Sequence, residues 1–309
     1  MSRVIPRRFR NFRTTLRQTN EIKEHIVNHK YDFIHYMIIN PQVIDEKTTI
    51  TIVMTTHNRP QQTLFTLQTI QESSLHLQVT IILVDDSTQD QLSATDFQPF
   101  TFQITYITID PKQKPWINPC VNYNLAFHEV KTESIIIQNA ETFHCGDICH
   151  VVSENLTDDN YLVFDVRAID EVQDNQIVQQ LHNYDQVAPY LEQKNSRWCQ
   201  HTTQKNCCFH YLTAIKRHNL LQIGGFNYIL SMGSCYDDND LIMRITRSGL
   251  KIKNIENQQY HLMGIHQWHV CDTLSIPAYI HLNYKIYHNI LLHIDEPTVQ
   301  RFLTLYNVA

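Results

Sequence analysis

The sequence has 309 residues, of which 42% are hydrophobic and 18% charged. This is the composition of a globular protein with one large domain or two small ones. The net charge of -6 argues against a general nucleic-acid binder. No apolar run approaches the roughly 20 residues that a membrane span needs, and no secretory signal opens the chain. We therefore expect a cytoplasmic protein with no nucleic-acid partner and no membrane span.

Residues 1–46 are predicted to form a basic, helical extension that packs on the main domain. Arginines recur from Arg3 to Arg17 without a carboxylate among them. Such a start is typical of a solvated arm or a contact to a partner, and also of a transit peptide or a membrane-surface helix. An apolar stripe from Glu21 to Ile39 predicts a helix.

The next stretch predicts a strand, a helix and a second strand. Thr48 to Met54 is rich in β-branched residues, and the polar residues 55–60, TTHNRP, follow it. After an amphipathic stretch, the apolar strand Val79–Val84 ends in Asp85 and Asp86. This order predicts a βαβ unit with a crevice at the carboxyl edge of its sheet.

Glycine-rich phosphate loops are missing from this unit. No G-x-G-x-x-G follows the first strand, and no G-x-x-x-x-G-K occurs in the chain. A dinucleotide-dependent dehydrogenase and a P-loop NTPase are therefore disfavoured. A nucleotide site in this crevice would have to use side chains and a metal ion.

Ser134 to Glu141, SIIIQNAE, reads as a buried strand that ends abruptly in polar side chains. In open α/β sheets, ligands bind just outside the carboxyl ends of the strands. Mg²⁺ and Mn²⁺ take carboxylate or amide oxygens, with water and phosphate supplying the other ligands. Our interpretation is that Asn139 and Glu141 hold a diphosphate through a metal. Taken alone, a buried strand with a polar end remains the alternative.

The remaining pattern predicts further elements around this strand. Asn124 lies within a predicted helix, where Asn is costly, and either bonds to a loop or reaches into the crevice. The stretch Trp198–Cys208 is polar and aromatic, as in a binding loop or a solvated connector. Other elements are strands over 104–109 and 161–166, surface loops and a helix over 170–193, and a helix over 209–221.

Residues 236–240, YDDND, form an acidic cluster just before an amphipathic helix that ends at Gly249. The helix dipole favours acids at its start, which accounts for one or two of the three carboxylates of Asp237, Asp238 and Asp240. Since like charges this close repel one another, one of them with a raised pKa can act as a general base.

Two histidines, His266 and His269, lie three residues apart beside Trp268. Neutral imidazole is a ligand for Mn²⁺ as well as for Zn²⁺. A structural role and metal ligation both remain open for this pair.

Taken together, these residues resemble the GT-A glycosyltransferases, in particular the family 2-like and β-1,4-galactosyltransferase-like enzymes. The resemblance covers roughly residues 48–270. It implies an α/β fold of GT-A (Rossmann-like) type over 47–275, with a mixed, mostly parallel sheet flanked by helices, and a helical tail over 276–309. Four matches support the resemblance. Residues 55–60 resemble the nucleotide-binding loop of the family, and VDDSTQD (84–90) resembles its V-D-D-x-S-x-D stretch. Gly224-Gly225-Phe226 together with residues 236–241 resembles the G-G-F … E-D-D-D-L segment, and His266 lies where the family places a metal-binding histidine.

The resemblance implies transfer of a sugar from a nucleotide-sugar donor, of UDP type, to a hydroxyl of a glycan, protein or small-molecule acceptor. The transfer would be inverting, with Asp238 as the base and Asp237 beside it. Nucleotide-sugar binding is assigned to Thr55, Thr56, His57, Asn58, Arg59, Asp85, Asp86, Asn124 and Asn139. Mn²⁺ (or Mg²⁺) is assigned to Glu141, Asn139, His266 and His269, and the acceptor or sugar to Tyr236, Trp268 and Trp198.

The sequence departs from the family pattern at the metal motif, D-x-D, which reads Asn139-Ala140-Glu141 here. An amide oxygen ligates without bringing charge, so Glu141 and a histidine would do most of the ligation. This variant also resembles glycosyltransferase-like proteins of large DNA viruses, which would place the protein in a host cytoplasm or a virion. Two alternatives stay open: a GT-A module with a decayed metal site that binds a glycan or protein partner without turnover, and a nucleotidyltransferase. The latter needs a basic residue near the triphosphate, where the sequence offers Arg59.

Overall fold

The computed structural model describes residues 18–26, 28, 31–74, 76–181, 183–270 and 277–292, with the backbone alone for 289–292. The strands are β1 (Ile34–Ile39), β2 (Ile50–Thr56), β3 (Val79–Asp85), β4 (Gln103–Ile109), β5 (Ser134–Asn139), β6 (Thr142–Cys145), β7 (Asn160–Phe164), β8 (Val166–Ala168), β9 (Trp198–Gln200), β10 (Leu212–Lys216), β11 (Lys251–Ile255) and β12 (Met263–His266). The helices are α1 (18–26), α2 (Pro60–Ser73), α3 (Cys120–Glu129), α4 (Ile148–Asn155), α5 (Val172–Leu181), α6 (Tyr184–Gln193), α7 (Arg217–Ile223), α8 (Asp237–Arg247), α9 (Asn257–Tyr260) and α10 (Pro277–Leu292).

A large sheet and a small sheet organise the chain. The large sheet has the order β1-β4-β3-β2-β5-β10-β7-β11, and the small one β6-β12-β8-β9. Strands β4, β3, β2 and β5 run parallel, β1 and β10 are antiparallel to their neighbours, and β11 is parallel to β7. The predicted α/β fold with a mixed, mostly parallel sheet flanked by helices is confirmed.

The apolar run of β5 is buried on both faces of the large sheet. Ile136 packs in one core with residues of α2 and α4, whereas Ile135 and Ile137 pack in a second core with residues of α3. All three are fully buried, because successive side chains of a strand point to opposite faces. Helices on both faces therefore explain why the sequence of this strand shows no polar alternation.

The register of the parallel strands brings their polar ends together. Thr55 lies opposite Asn139, and Thr56 lies opposite Asp85, so β2, β3 and β5 end at one edge of the sheet. In the small sheet, His266 lies opposite Thr142, one residue after Glu141. The functional candidates of four separate segments thus converge at this edge.

Two local predictions were wrong. Of the helix predicted over 21–39, only the first part is helical; Ile34–Ile39 forms β1, antiparallel to β4 at the sheet edge. The stretch Leu212–Lys216, predicted as helix, is β10 between β5 and β7. Both segments carry β-branched residues, and pairing with a distant strand overrides their local helical pattern.

Both ends of the chain extend beyond the described residues. The arginine-rich residues 1–17 and the tail after residue 292 lie outside them, whereas α10 lies at the predicted start of the helical tail. Within the described part, every helix is too short or too polar to cross a membrane.

Candidate functional site

A cleft of about 680 Å³ opens where β2, β3 and β5 end. Most of the residues that the sequence predicts for the site line it: Thr55, Thr56, His57, Asn58, Arg59, Asp86, Asn139, Glu141, Tyr236, Asp237, Asp238, His266, Trp268 and His269. The structure therefore brings the predicted nucleotide, metal and catalytic residues to one surface, and places Asp85, Asn124 and Trp198 elsewhere.

Glu141, His266 and His269, called here the carboxylate–histidine cluster, present ligand atoms within 4.8 Å of one another. Each Nε2 lies 3.5 Å from Glu141 Oε1. The other oxygen, Oε2, is buried and has no hydrogen-bond partner among the described residues. His269 Nδ1 lies 3.1 Å from the carbonyl oxygen of Val270, so Nδ1–H donates there and the Nε2 lone pair is directed elsewhere. One carboxylate and two imidazoles form a donor set that suits a first-row divalent metal.

Arg59 is the cation that pairs with Glu141 in this cluster. Its Nη1 donates to Glu141 Oε1 at 2.5 Å. Burial acts to raise the pKa of Glu141, but Arg59 and both histidines outweigh it and hold the pKa well below its usual range. Burial also lowers the pKa of His269, which keeps that imidazole neutral. Glu141 is therefore ionised beside a neutral imidazole, as metal ligation requires.

Gln267 positions the cluster, although only its neighbours His266, Trp268 and His269 were predicted from the sequence to belong to the site. Its backbone N–H donates to the carbonyl oxygen of Glu141 at 3.0 Å. Its side-chain amide donates to Gln62 O at 3.0 Å and to Thr66 Oγ1 at 3.2 Å. These bonds join the end of β12 to helix α2 and to the turn between β5 and β6, so His266 and His269 are held against Glu141.

Asp237, Asp238 and His210, called here the acid cluster, lie at the start of α8 and the loop before β10. Their ligand atoms also lie within 4.8 Å of one another. The backbone N–H of His210 donates to Asp238 Oδ1 at 3.0 Å, and the ring Nδ1 contacts the same oxygen. Asn118 Nδ2 donates to Asp237 Oδ1 at 3.2 Å. The Asp238 side chain keeps 23% of its surface exposed and is the carboxylate available to a substrate in the cleft.

The charges of the acid cluster shift the pKa values of Asp237 and His210. Burial, reinforced by the charge of Asp238, raises the pKa of Asp237 to about 6. Burial acts to lower the pKa of His210, but the carboxylates of Asp238 and Asp237 outweigh it and raise the pKa. Asp237 and His210 therefore both titrate at higher pH than their ordinary counterparts, behind the carboxylate of Asp238.

The third part of the cleft wall surrounds Asp86. His57 Nδ1 lies 2.9 Å from Asp86 Oδ1, and Asn122 Nδ2 donates to Oδ2 at 2.8 Å. Lys114 Nζ also contacts Oδ2. Burial acts to raise the pKa of Asp86, but these three partners outweigh it and hold the pKa well below its usual range. Lys114 was missed from the sequence, because it lies in an irregular segment.

Asn58 connects this wall to the loop after β3. Its Oδ1 accepts from the backbone N–H groups of Thr88 and Gln89, each at 2.9 Å. The residue adopts a left-handed φ of 54°, a conformation that asparagine tolerates better than most side chains. The two predicted nucleotide loops are thus joined by hydrogen bonds.

Three predicted site residues lie outside the cleft wall. Asp85 is fully buried, and its oxygens accept from Ser87 N, Leu92 N and Tyr106 Oη, so it shapes the loop after β3. Asn124 exchanges two hydrogen bonds of 2.8 Å with the backbone of Phe226. It braces the chain segment before α8, where a Cβ on Gly225 would lie 2.6 Å from Asn124 Oδ1. Trp198 lines a separate cavity.

No protein-family model matches the sequence, and no curated protein is similar to it. Among solved structures, S. aureus TarS 1–349 in complex with UDP-GlcNAc matches with a TM-score of 0.55 at 10% identity, over 79% of this chain and 66% of that one. A longer S. aureus TarS structure matches with a TM-score of 0.52 at 11% identity, over 79% and 40%. The mannosyltransferase PcManGT from Pyrobaculum calidifontis, in complex with GDP-Man and Mn²⁺, matches at 0.46 and 15% identity, over 96% and 79%. The chain thus spans less than two thirds of the TarS structures, and the similarity establishes the GT-A fold.

Proposed function

We propose that the protein is a metal-dependent glycosyltransferase that moves a sugar from a nucleotide-sugar donor, of UDP type, to an acceptor hydroxyl. The observation that carries the proposal is the convergence of the acid cluster and the carboxylate–histidine cluster on one cleft. The cleft lies at the carboxyl ends of parallel strands, where α/β sheets bind ligands. The UDP-GlcNAc bound by TarS, which shares the fold, supports the choice of a UDP-type donor.

The residues of the carboxylate–histidine cluster fit Mn²⁺, with Mg²⁺ as the alternative. Glu141 offers a buried oxygen without a partner among the described residues, the two histidines offer Nε2, and Asn139 lines the same cleft. Histidine ligands favour Mn²⁺ over Mg²⁺, which prefers oxygen. A bound divalent ion supplies positive charge that neutralises a diphosphate leaving group.

The chain's own residues supply the other elements of catalysis. Asp238 accepts the proton of the acceptor hydroxyl as that oxygen attacks the anomeric carbon, in an inverting transfer. His210 holds the Asp238 carboxylate in place through its backbone and its ring. Asp237 lies buried behind it and is held by Asn118. Arg59 adds a cation beside Glu141 for the diphosphate.

The nucleoside is assigned to the wall formed by Thr55, Thr56, His57, Asn58 and Asp86. Tyr236 and Trp268, which line the same cleft, are assigned to the acceptor or the transferred sugar, since aromatic faces pack on sugar rings. The finer relationships, to family 2-like and β-1,4-galactosyltransferase-like enzymes or to viral proteins, and the cytoplasmic location stay predictions from sequence motifs.

A donor screen tests this function. Purified protein is incubated with a panel of UDP- and GDP-sugars, with Mn²⁺ or with EDTA, and the released nucleoside diphosphate is measured. We expect one donor to be hydrolysed slowly in the presence of Mn²⁺, and EDTA to abolish the release. Glu141→Ala and Asp238→Asn should both lose this activity; full activity in both variants would show that the site is assigned wrongly.

A binding module without turnover is the second candidate, and one contact favours it. The guanidinium of Arg59 already pairs with Glu141 at 2.5 Å, and the first position of the metal motif is the uncharged Asn139. Calorimetry with UDP, with and without Mn²⁺, separates the two candidates. The enzyme should bind UDP more tightly when Mn²⁺ is present, whereas a decayed site should show no dependence on the metal.

A further inference from the structure

A second cavity, of about 640 Å³, borders the first cleft. Strand β9 forms the wall between them: Cys199 lines the cleft, Trp198 lines the second cavity, and Arg197 lines both. Alternate residues of a strand point to opposite faces, so this arrangement follows from the strand itself. The second cavity is therefore next to the proposed transfer site but separate from it.

Arg167 is the buried charge of this cavity. Its side chain lies on β8, and 7% of the residue is exposed. Among the described residues, its guanidinium donates through Nε alone, to Ser196 Oγ at 2.9 Å and Ser196 O at 3.3 Å, and forms no ion pair. Burial lowers the pKa of this arginine, with the exposed Glu192 acting in the opposite direction. The terminal nitrogens of a buried arginine that has no carboxylate partner can bind an anion.

The other charged side chains around the cavity do not neutralise the guanidinium of Arg167. Lys205 is exposed on the wall, and Arg197 pairs with Asp170 at 2.6 Å. The acids that line the cavity are Asp185, beside His261 at 3.4 Å, and Glu192, and both are exposed to solvent. The two acids and the cations Lys205 and Arg197 thus lie at the solvent-exposed rim, where water screens their charges, and Arg167 is the buried charge inside.

An aromatic platform lies beside the buried cation. The guanidinium carbon of Arg167 is 4.6 Å from the ring centroid of Trp198, and the ring of His201 is 4.3 Å from the same indole. Trp198 is half-buried, and the amides of Asn195, Gln204 and Asn257 line the surrounding wall. An indole surrounded by amides offers both apolar contact and hydrogen bonds. A sugar ring, which has apolar faces and hydroxyl groups, can use both.

We propose that this second cavity binds an anionic sugar unit of the acceptor, one that carries a phosphate or carboxylate group, while a neighbouring unit of the same acceptor enters the cleft past Arg197, which lines both. Arg167 binds the anionic group, Trp198 packs on the sugar ring, and Lys205 adds long-range attraction. As an assignment of the acceptor, the inference rests on the proposed glycosyltransferase function; as a binding site for an anionic sugar, it stands on the cavity itself.

Calorimetry on the full chain tests the binding site. The probes are glucose 6-phosphate, glucuronate, glucose and inorganic phosphate; the first two distinguish phosphate from carboxylate. We expect at least one anionic sugar to bind more tightly than glucose and than inorganic phosphate. Arg167→Met should weaken that binding by about tenfold or more, because it removes charge-assisted hydrogen bonds. Lys205→Gln, at an exposed position that leaves folding intact, should weaken it by about two- to fivefold.

The controls separate the parts of the site. Lys251→Gln, an exposed lysine of β11 away from the cavity, should bind as the wild type does. Trp198→Ala should weaken the anionic sugar but leave inorganic phosphate unchanged. Wild-type affinity in both Arg167→Met and Lys205→Gln, or equal affinity for inorganic phosphate and the sugar phosphate, would overturn the inference.

A coupled assay separates this inference from the proposed function. With the donor found in the screen, a disaccharide that ends in the anionic sugar should raise release of nucleoside diphosphate above hydrolysis in the wild type, and Arg167→Met should reduce that rise through KM. If no donor is turned over while Arg167 still governs sugar binding, the glycosyltransferase function fails and the sugar site stands. If turnover occurs and the anionic sugar neither binds nor stimulates it, the acceptor inference fails alone.

Discussion

Two buried carboxylates of the cleft, Glu141 and Asp237, have opposite electrostatic surroundings. Glu141 lies beside Arg59, His266 and His269, and its pKa is held well below the usual range. Asp237 lies beside another carboxylate, and its pKa is raised to about 6. Both residues are buried, so desolvation alone does not set the outcome; the neighbouring charges do.

Because of this difference, we assign metal binding to one side of the cleft and proton transfer to the other. A carboxylate that stays ionised at every working pH can hold a cation, and the carboxylate–histidine cluster is built in that way. The acid cluster instead holds the buried Asp237, whose pKa is raised to about 6, behind the more exposed carboxylate of Asp238, which is available to a substrate in the cleft. The predictions below change one side and measure the other as its control.

The largest effect is expected from Asp238→Asn. The amide keeps the shape of the side chain but cannot accept a proton as a base. Transfer should fall by about 10²–10⁴-fold, the typical contribution of base catalysis, while affinity for UDP and Mn²⁺ stays unchanged. The measurement is kcat for sugar transfer together with calorimetric Mn²⁺ binding. Asp159→Asn, an exposed position, is the matched control; transfer at more than a tenth of the wild-type rate in Asp238→Asn would refute the base assignment.

Glu141→Gln should show the opposite pattern. It removes the charged ligand of the carboxylate–histidine cluster while keeping its size. We expect Mn²⁺ affinity to fall by more than about 100-fold, beyond the range typical of residues that only orient a ligand. UDP binding should lose its dependence on Mn²⁺. If the variant binds Mn²⁺ as the wild type does, the metal lies elsewhere in the cleft.

The two carboxylates should also differ in how they couple stability to pH. The folded pKa of Asp237 is about 6 against an ordinary 3.8, so between these values the folded protein holds more protons than the unfolded chain. The free energy of unfolding therefore decreases as pH rises through this window, by a few kcal/mol at about 1.4 kcal/mol per pKa unit. Asp237→Asn should remove that loss and raise Tm at pH 7.

Glu141 provides the matched comparison for this pH effect. Its folded pKa lies below the ordinary 4.5, so its contribution to stability is present above that value and is lost as pH falls. Glu141→Gln should therefore lower Tm at pH 7 and have less effect in acid. Thermal unfolding of both variants from pH 2 to pH 8 checks the signs; a lower Tm at pH 7 in Asp237→Asn would contradict the raised pKa.

The sequence predicted one side of this comparison better than the other. Strands β2, β3 and β5 are continuous apolar runs that each end in polar residues, so the convergence of Arg59, Asp86 and Glu141 at one edge follows from local pattern and the rules of parallel sheets. The placement of His210 does not follow from local pattern or from these rules. It depends on β10 inserting antiparallel between β5 and β7, a long-range pairing that leaves no periodic signal in the loop before it.

The same reason explains where single residues lie. Trp198 was predicted to contact the acceptor or the sugar from a binding loop, and strand alternation in β9 directs it to the second cavity, and Cys199 to the cleft. Asp85 and Asp86 look equivalent in sequence, yet the strand buries the first and presents the second. Which of two neighbours faces a ligand is set by strand register, and composition does not encode it.

The smallest effect is expected from Asn283→Ala, which changes neither cluster directly. Cys235 and Tyr236, just before α8, have left-handed φ values of 63° and 66°, a strained conformation for side chains of this size. Asn283 of α10 is fully buried and donates to the carbonyl oxygens of Leu230 and Cys235 at 3.0 and 2.9 Å. It therefore fixes the turn that aims Asp238 into the cleft.

Loss of these two bonds should lower the free energy of unfolding by about 1–3 kcal/mol. If the turn relaxes, kcat should fall several-fold while KM for the donor and Mn²⁺ affinity stay constant, because the carboxylate–histidine cluster belongs to other strands. Asn254→Ala, on the half-buried face of β11, controls for the loss of an amide. A variant that loses stability but keeps its kcat would mean that the left-handed turn keeps its conformation without Asn283. Helix α10 would then stabilise the fold without positioning the acid cluster.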